Sequence, residues 1–401
     1  MKTHVIAVGC VLAVLCVSLS AQEQAKKSES GPSASAEKKS WLSKLPFTLY
    51  GYVKLDASFD SGRVNAGNFA RWVESEEDNS EDSQFNMTAN QTRLGLKADG
   101  PDAGGMKSSA TIEVDFYGAG GAENKPNLRM RHAFVTLDWP EKDFNIIAGQ
   151  TWDVISPLYP STVNFTILWW CGNTGYRRPQ LRLTKGIRVS DRARLEIAGS
   201  ISRNIGDANT FGPGDSGEDS AVPCLQGRIG CDIDAWAARP LCLGISSHWG
   251  REEYDTSAAG DEEDFNSWSV TLDLNIPITS RFGIKGEVWT GQNMNAYLGC
   301  IGQGVNTVTM DEIRSIGGWG AASFGPWNSC TFNAGAGIED PDNDDLNDGD
   351  RSLNQSYFGN IMYQVNKALH LGGEISYWKT DYRAKEDGDS VRFQTAVIFK
   401  F

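Results

Sequence analysis

FQTAVIFKF, residues Phe393 to Phe401, places an apolar or β-forming side chain at every second position (Phe393, Thr395, Val397, Phe399, Phe401) and ends on an aromatic. A soluble protein ending this way would present an unpaired, adhesive edge, whereas a closed membrane barrel needs one apolar-out, polar-in strand to seal against its first. The partner has the same period. In FTLYGYVKLDASF, Phe47 to Phe59, one face carries Phe47, Leu49, Val53, Leu55 and Phe59 and the other Tyr50, Tyr52, Lys54 and Asp56. The chain therefore reads as an all-β, antiparallel transmembrane barrel.

The segment before this strand divides in two. Lys2, the short apolar run Val5 to Leu19 and the small residues Ser18, Ser20 and Ala21 form the three zones of a secretory signal, so residues 1–21 are expected to be removed. The run is too short to anchor in a bilayer. Cys10 and Cys16 lie inside it without a convincing lipobox. Residues 22–46 are rich in Ser, Ala, Lys and Glu with almost no apolar side chain before Trp41, so they read as a disordered periplasmic linker or plug-like tail. Residues 47–401 then form one domain. They contain no apolar stretch long enough for a membrane helix, which leaves a barrel as the way to span.

Dyad-patterned runs occur at 47–59, 88–98, 107–117, 128–139, 143–153, 179–189, 193–203, 222–233, 241–252, 267–277, 281–292, 312–324, 330–339, 355–366, 368–379 and 390–401. That makes about sixteen strands, the even count expected of a single-chain outer-membrane barrel. Tight turns at Ala98–Met106, Pro140–Lys142, Ser190–Arg192, Ile278–Ser280, Gly325–Ser329 and Asn366–Lys367 alternate with long, polar, Gly-rich connections. Short turns belong in the periplasm and long loops outside, and both termini then fall on the periplasmic side.

The sequence resembles the DcaP-like trimeric porins in the order and spacing of TRLGLKADG (Thr92–Gly100), LRMRHAFVTLDW (Leu128–Trp139), AGQTWDVISPLYPSTVNF (Ala148–Phe165) and RRPQLRLT (Arg177–Thr184). GQTWD running into a Pro-rich loop is the most specific part. The resemblance implies a sixteen-stranded homotrimer integral to the bacterial outer membrane, in contact with lipid and lipopolysaccharide. It also implies a third external loop folded into the lumen and passive uptake of small anions such as dicarboxylates. The chain departs from that pattern in its cysteines and in three very acidic external loops.

With the apolar face of each strand turned to lipid, the lumen receives Arg93, Lys97, Arg178, Arg182, Arg188, Arg194, Arg228, Lys285, Arg392 and Lys400. Facing them are Asp56, Glu113, Asp115, Glu196, Asp273, Glu287 and Glu374. The basic excess lowers the barrier to anions, and facing carboxylates such as Glu113 and Asp115 create a transverse field. Paired off as wall salt bridges, the same residues would only satisfy a wet interior. The expected anion-binding constriction is Arg177, Arg178 and Arg182, where the long loop rejoins the wall, with Arg93 and Arg131; guanidinium forks match carboxylates bidentately. The facing of Arg129 and Arg131 is open, because either parity turns apolar groups inward. The loop itself, Ile155–Tyr176, carries Tyr159, Trp169 and Trp170, too apolar for an exposed tip, and is expected to fold inward.

Two other functions follow from other residues. Inward Tyr50, Tyr52, Trp289 and Trp378 would suit the faces of sugars in a saccharide channel. Ser246 and His248 share a face but lack an orienting acid, so an outer-membrane enzyme is the remote alternative.

The formal net charge is -14, and loss of residues 1–21 removes only Lys2, leaving -15. So acidic a chain has no basic footprint for nucleic acid. The carboxylates concentrate at Glu74–Asp82, Glu252–Asp264 and Glu339–Asp350, all expected in external loops. Asp340, Asp342, Asp344 and Asp348 alternate in a way that suits Ca²⁺, without the Gly and final Glu of an EF-hand; a solvated acidic tip or divalent bridging to lipopolysaccharide are the plainer readings. Six cysteines follow the signal. Cys171, Cys224 and Cys300 belong to the external side and Cys231, Cys242 and Cys330 to the periplasmic side, so any disulfide must join two from one side.

Overall fold

The computed structural model describes residues 47–78, 82–118, 125–205, 220–236, 239–255 and 262–401. The expected signal and linker, 1–46, lie outside them. The described chain is a closed antiparallel barrel of sixteen staves. In chain order these are β1 (Phe47–Asp60), β2 and β3 together (Gln84–Thr88 and Arg93–Asp99), β4 (Lys107–Asp115), β5 (Arg129–Trp139), β6 (Phe144–Trp152), β7 (Arg177–Ser190), β8 (Ala193–Ser202) and β9 (Cys224–Ile233). After a ninth stave, β10 (Leu241–Asp255), follow β11 (Glu262–Pro277) and β12 (Phe282–Gln292). A small ribbon, β13 (Val305–Asn306) with β14 (Asp311–Glu312), sits in the next loop. The ring then resumes with β15 (Arg314–Trp327), β16 (Cys330–Pro341), β17 (Arg351–Gln364), β18 (Leu369–Tyr382) and β19 (Lys385–Lys400).

The terminal strand and its partner at residue 47 do close the ring. β1 pairs with β19 from Tyr52↔Lys400 to Asp60↔Arg392. Alternation decides which face meets lipid: Leu49 and Val53 are 49% and 53% exposed, while Lys54 and Asp56, of the opposite parity and just beyond them, are 4% exposed and paired with each other at 3.0 Å. An apolar exterior of this extent is unfavourable in water and favourable in hydrocarbon.

Two expected external loops are strand instead. Glu252–Asp255 pairs with Glu262–Phe265, from Glu252↔Phe265 to Asp255↔Glu262, so both ends of the acidic run between Glu252 and Asp264 are ladder, and 256–261 lie outside the described residues. The connection expected between 379 and 390 shrinks to Arg383 and Ala384, with Tyr382 opposite Lys385. The cause is common to both. Strand ends that project beyond the lipid band meet water on both faces, so their pairing continues after the apolar alternation has stopped.

The six cysteines are free thiols, with Cys171, Cys224 and Cys300 buried. Cys231 lies opposite Leu243 and Cys242 opposite Asp232, so these two stand one position out of register and on opposite faces. A soluble maleimide applied to the folded barrel should label only Cys231, Cys242 and Cys330; mass spectrometry showing labelling of all six without unfolding would contradict this burial.

Candidate functional site

The site is organised by the loop that joins β6 to β7. Its neck is closed by Asp153 and Tyr176, whose backbones pair through Asp153 N donating to Tyr176 O at 2.8 Å, while Tyr176 N donates to Asp153 Oδ2 at 2.8 Å. Arg178 completes the neck. Its Nε lies 2.8 Å from Asp153 Oδ1, its guanidinium stacks 3.9 Å from the Tyr297 ring, and it is 1% exposed.

Beyond the neck the loop crosses the lumen and is held by side chains of the wall. Glu287 on β12 accepts from Leu158 N at 2.8 Å. Glu374 on β18 accepts from Val163 N and Asn164 N at 2.6 and 3.1 Å, and Glu339 on β16 accepts from Gly172 N at 3.2 Å. Each bond satisfies a backbone N–H that would otherwise go unpaired inside the barrel, so three wall glutamates fix the loop's path. Val163 O in turn accepts from Lys54 Nζ and Gln394 Nε2, and Trp289 Nε1 donates to Gly172 O at 2.8 Å.

Two crossings are tight. A Cβ on Gly172 would fall 2.1 Å from Gly318 O, and one on Gly337 would fall 2.1 Å from Cys171 O. Gly172 also has φ +96°, which L side chains rarely adopt.

Near the neck, four arginines gather around two carboxylates. Glu113 Oε1 accepts from Arg131 Nε at 2.7 Å and lies 3.3 Å from Arg93 Nε; Tyr50 Oη donates to Glu113 Oε2 at 3.1 Å. Asp115 accepts from Arg129 Nη2 at 2.7 Å and from Arg131 Nη1 at 3.1 Å. The fourth, Arg177, is 2% exposed and stacks 4.4 Å from the Trp152 ring and 5.9 Å from Trp169. Both of its Nη atoms are buried without a hydrogen-bond partner. Arg93, Arg129, Arg131 and Arg177 against Glu113 and Asp115 leave an excess of two positive charges here.

The structure thus brings Arg93, Arg131 and Arg177 together with Glu113 and Asp115, and separates Arg178, which is sealed in the loop neck. Arg182 lies on the other side of that neck. It donates from Nε to Gln180 Oε1 at 3.0 Å and from Nη2 to Trp152 O, and it lines a cavity of about 220 Å³ with Tyr159, Trp152 and Trp169. Tyr159 is 55% exposed there, and Lys285 Nζ sits 5.5 Å above its ring. Trp169 is buried against Trp152 and Phe165, and Trp170 packs edge-on to Trp72. The facing of β5 is explained by a bulge. His132 is opposite Glu113 and Met130 opposite Val114, so Arg131 is an extra residue and the parity of the strand changes at it.

Three other lumenal arginines are paired, Arg228 with Asp273 at 2.6 Å, Arg392 with Asp60 at 2.9 Å and Arg194 with Asp143 at 2.7 Å. Trp289 and Trp378 are 3% and 1% exposed, packed beneath the loops rather than open to the lumen. His248 shares Nδ1 and Nε2 with the hydroxyls of Ser269 and Ser267 at 2.7 and 2.9 Å and stacks on Tyr297. At the acidic tip, Asp342 and Asp345 pair with Arg314 at 2.9 and 2.8 Å and Asp348 with Arg383 at 3.5 Å. Asp340 is placed at the lipid-facing end of β16, opposite Ile316. Among the described residues no group of three His, Cys, Asp or Glu side chains converges as metal ligands.

Sequence reasoning missed that two further loops fold inward. Val64, Ala70 and Val73 of the first loop join a core with Leu168 and Trp319, and Met294, Tyr297 and Cys300 of the loop after β12 join one with Ile155 and Trp289. The apolar run Phe69-Ala-Arg-Trp-Val73 inside a polar loop is the signal that marks the first of these.

The model of the DcaP outer membrane protein family matches residues 19–205. No curated protein sequence matches the chain significantly. Among solved structures, the outer membrane channel DcaP of Acinetobacter baumannii is similar with a TM-score of 0.71 at 22% identity, over 88% of this chain and 97% of that one. The anion-selective porin from Comamonas acidovorans gives 0.56 at 14% identity over 88% and 99%. Vibrio cholerae OmpT in its trimer form gives 0.53 at 10% identity over 88% and 99%. The family match from residue 19 through β8 covers somewhat less than half of the chain, and the same barrel carried on to the end of β19 makes the whole described chain similar in fold to the DcaP channel and to outer-membrane porins.

Proposed function

We propose that this protein is an outer-membrane porin, a passive channel for small anions with carboxylates as the favoured class, and that it works as a homotrimer. The observation that carries the reading is Arg177: a buried guanidinium whose two terminal nitrogens find no partner, in a cluster with two uncompensated positive charges. A wall salt bridge has no such remainder. A passing carboxylate supplies the missing acceptors, and Glu113 and Asp115 facing the arginines orient it along the transverse field. The anion-selective Comamonas porin and the trimeric Vibrio protein, which share the fold, support the direction of selectivity and the assembly. Residues 1–21 are proposed as the signal removed on export and 22–46 as a periplasmic linker.

Reversal potentials under a salt gradient test the selectivity. The wild type should prefer anions, and Arg177→Gln should lower the anion-to-cation permeability ratio. A unit charge about 8 Å from the passing ion at an effective dielectric constant of about 40 contributes about 1 kcal/mol, or roughly five-fold. A cation-selective wild type, or an Arg177→Gln channel with the wild-type reversal potential, would sink the proposal.

A further inference from the structure

A second group of arginines stands across the lumen from the first. β17, which begins with Arg351, is eight staves from β7 in the sixteen-stave ring, on the opposite wall. The Arg351 guanidinium lies 4.2 Å from the Trp72 ring, and the Arg71 guanidinium lies 4.4 Å from the same ring and 5.1 Å from Trp170. Three loops and the wall hold this arrangement. Asn354 Nδ2 donates to Arg71 O and Trp170 O at 2.8 and 2.7 Å, and Gln303 brackets the Arg351 backbone at 2.8 and 3.0 Å. Gly302, with φ +74°, lets the chain pass close to Trp72.

An arginine stacked for purely structural reasons turns its N–H groups to carbonyls or carboxylates. Here the donors outnumber the acceptors. Arg351 Nε reaches Ile301 O at 2.8 Å and Arg71 Nη2 reaches Asn65 Oδ1, yet Arg71 Nε and Trp72 Nε1 are buried with no partner. Trp72 is itself 7% exposed. No carboxylate of the described residues comes within 4 Å of either guanidinium; Glu74, the nearest in chain, is engaged by Asn65 Nδ2 at 2.8 Å. Burial, with the Arg351 charge beside it, pulls Arg71 down to about 10, so it remains a cation at neutral pH. Unsatisfied buried donors are costly, and two cations on one indole repel each other. One oxyanion answers both.

We propose that Arg71, Trp72 and Arg351 form a second oxyanion-binding site, separate from the Arg177 cluster, which holds the carboxylate or phosphate group of a small solute within the external loops. The two sites are joined by an indole ladder, with ring centroids 5.8 Å apart from Trp152 to Trp169, 6.4 Å from Trp169 to Trp170 and 6.3 Å from Trp170 to Trp72. A solute with an acid group at each end meets cations on both walls.

Titration calorimetry on the purified barrel, free of lipopolysaccharide, tests this with succinate and with inorganic phosphate as separate probes. Arg71→Gln and Arg351→Gln should each weaken binding of at least one probe roughly ten-fold while shifting the reversal potential less than Arg177→Gln does. Arg71→Lys, which keeps the charge and loses the fork, should weaken it less. The site is refuted if both Gln variants, still heat-modifiable barrels, bind both probes as the wild type does, or if their reversal potentials move as far as that of Arg177→Gln. Because the readouts differ, loss of this inference leaves the selectivity proposal standing, and the reverse holds too.

Discussion

Replacing Arg178 by Met should lower the temperature at which the folded barrel converts to the unfolded band on semi-native gels by a wide margin. Asp153 is 5% exposed, and with Arg178 gone its charge is left buried beside a Tyr ring. Removing one partner of a buried pair costs about 3–5 kcal/mol, chiefly because the other remains uncompensated. Asp153 also accepts from Tyr176 N and from Gln226 Nε2 at 2.8 Å each, so the damage falls on the loop neck rather than on the staves. The double variant Asp153→Asn with Arg178→Met should recover part of the loss, since it removes the stranded charge. A single variant as heat-resistant as the wild type would show that the neck does not depend on this pair.

Gly172→Ala should produce a channel with higher conductance and weaker anion preference in an otherwise normal barrel. The added methyl group meets backbone atoms, Gly318 O at 2.1 Å and Ile338 O at 2.7 Å, which cannot rotate away, and it does so at a positive φ. The loop must lift from β15 and β16, and Gly172 N then loses Glu339. Single-channel recording decides the matter: conductance within the wild-type scatter, with no added current noise, would mean that the loop can seat elsewhere.

The sequence showed the staves well and the site only in part, for physical reasons that particular residues make plain. Dyad alternation is imposed by lipid, so every stave inside the membrane announces itself, and the alternation alone is enough to match β1 with β19. The paired ends Glu252–Asp255 and Glu262–Asp264 lie where lipid no longer imposes the pattern, and in sequence they resemble loop. Arg131 hides its facing because a bulge shifts the register at that residue. The aromatic composition of the loop from Ile155 to Tyr176 predicts that it turns inward, but its sockets are not legible, since Glu287, Glu339 and Glu374 follow more than a hundred residues later and look like any inward acid. Which arginines keep a free charge is equally non-local. Arg177 and Arg178 are neighbours in sequence, yet Asp153 and Tyr297 claim only the second.

Val163 O receives a hydrogen from Lys54 on β1 and another from Gln394 on β19, the two staves that meet at the seam of the barrel. Those donors are brought side by side only when the first and last staves have joined, which is the contact of longest sequence separation in the ring and the slowest kind to form. The order of events in assembly follows from this. An open sheet offers the loop half a socket and the closed seam completes it, so the loop's seat across the lumen is finished only when the ring is.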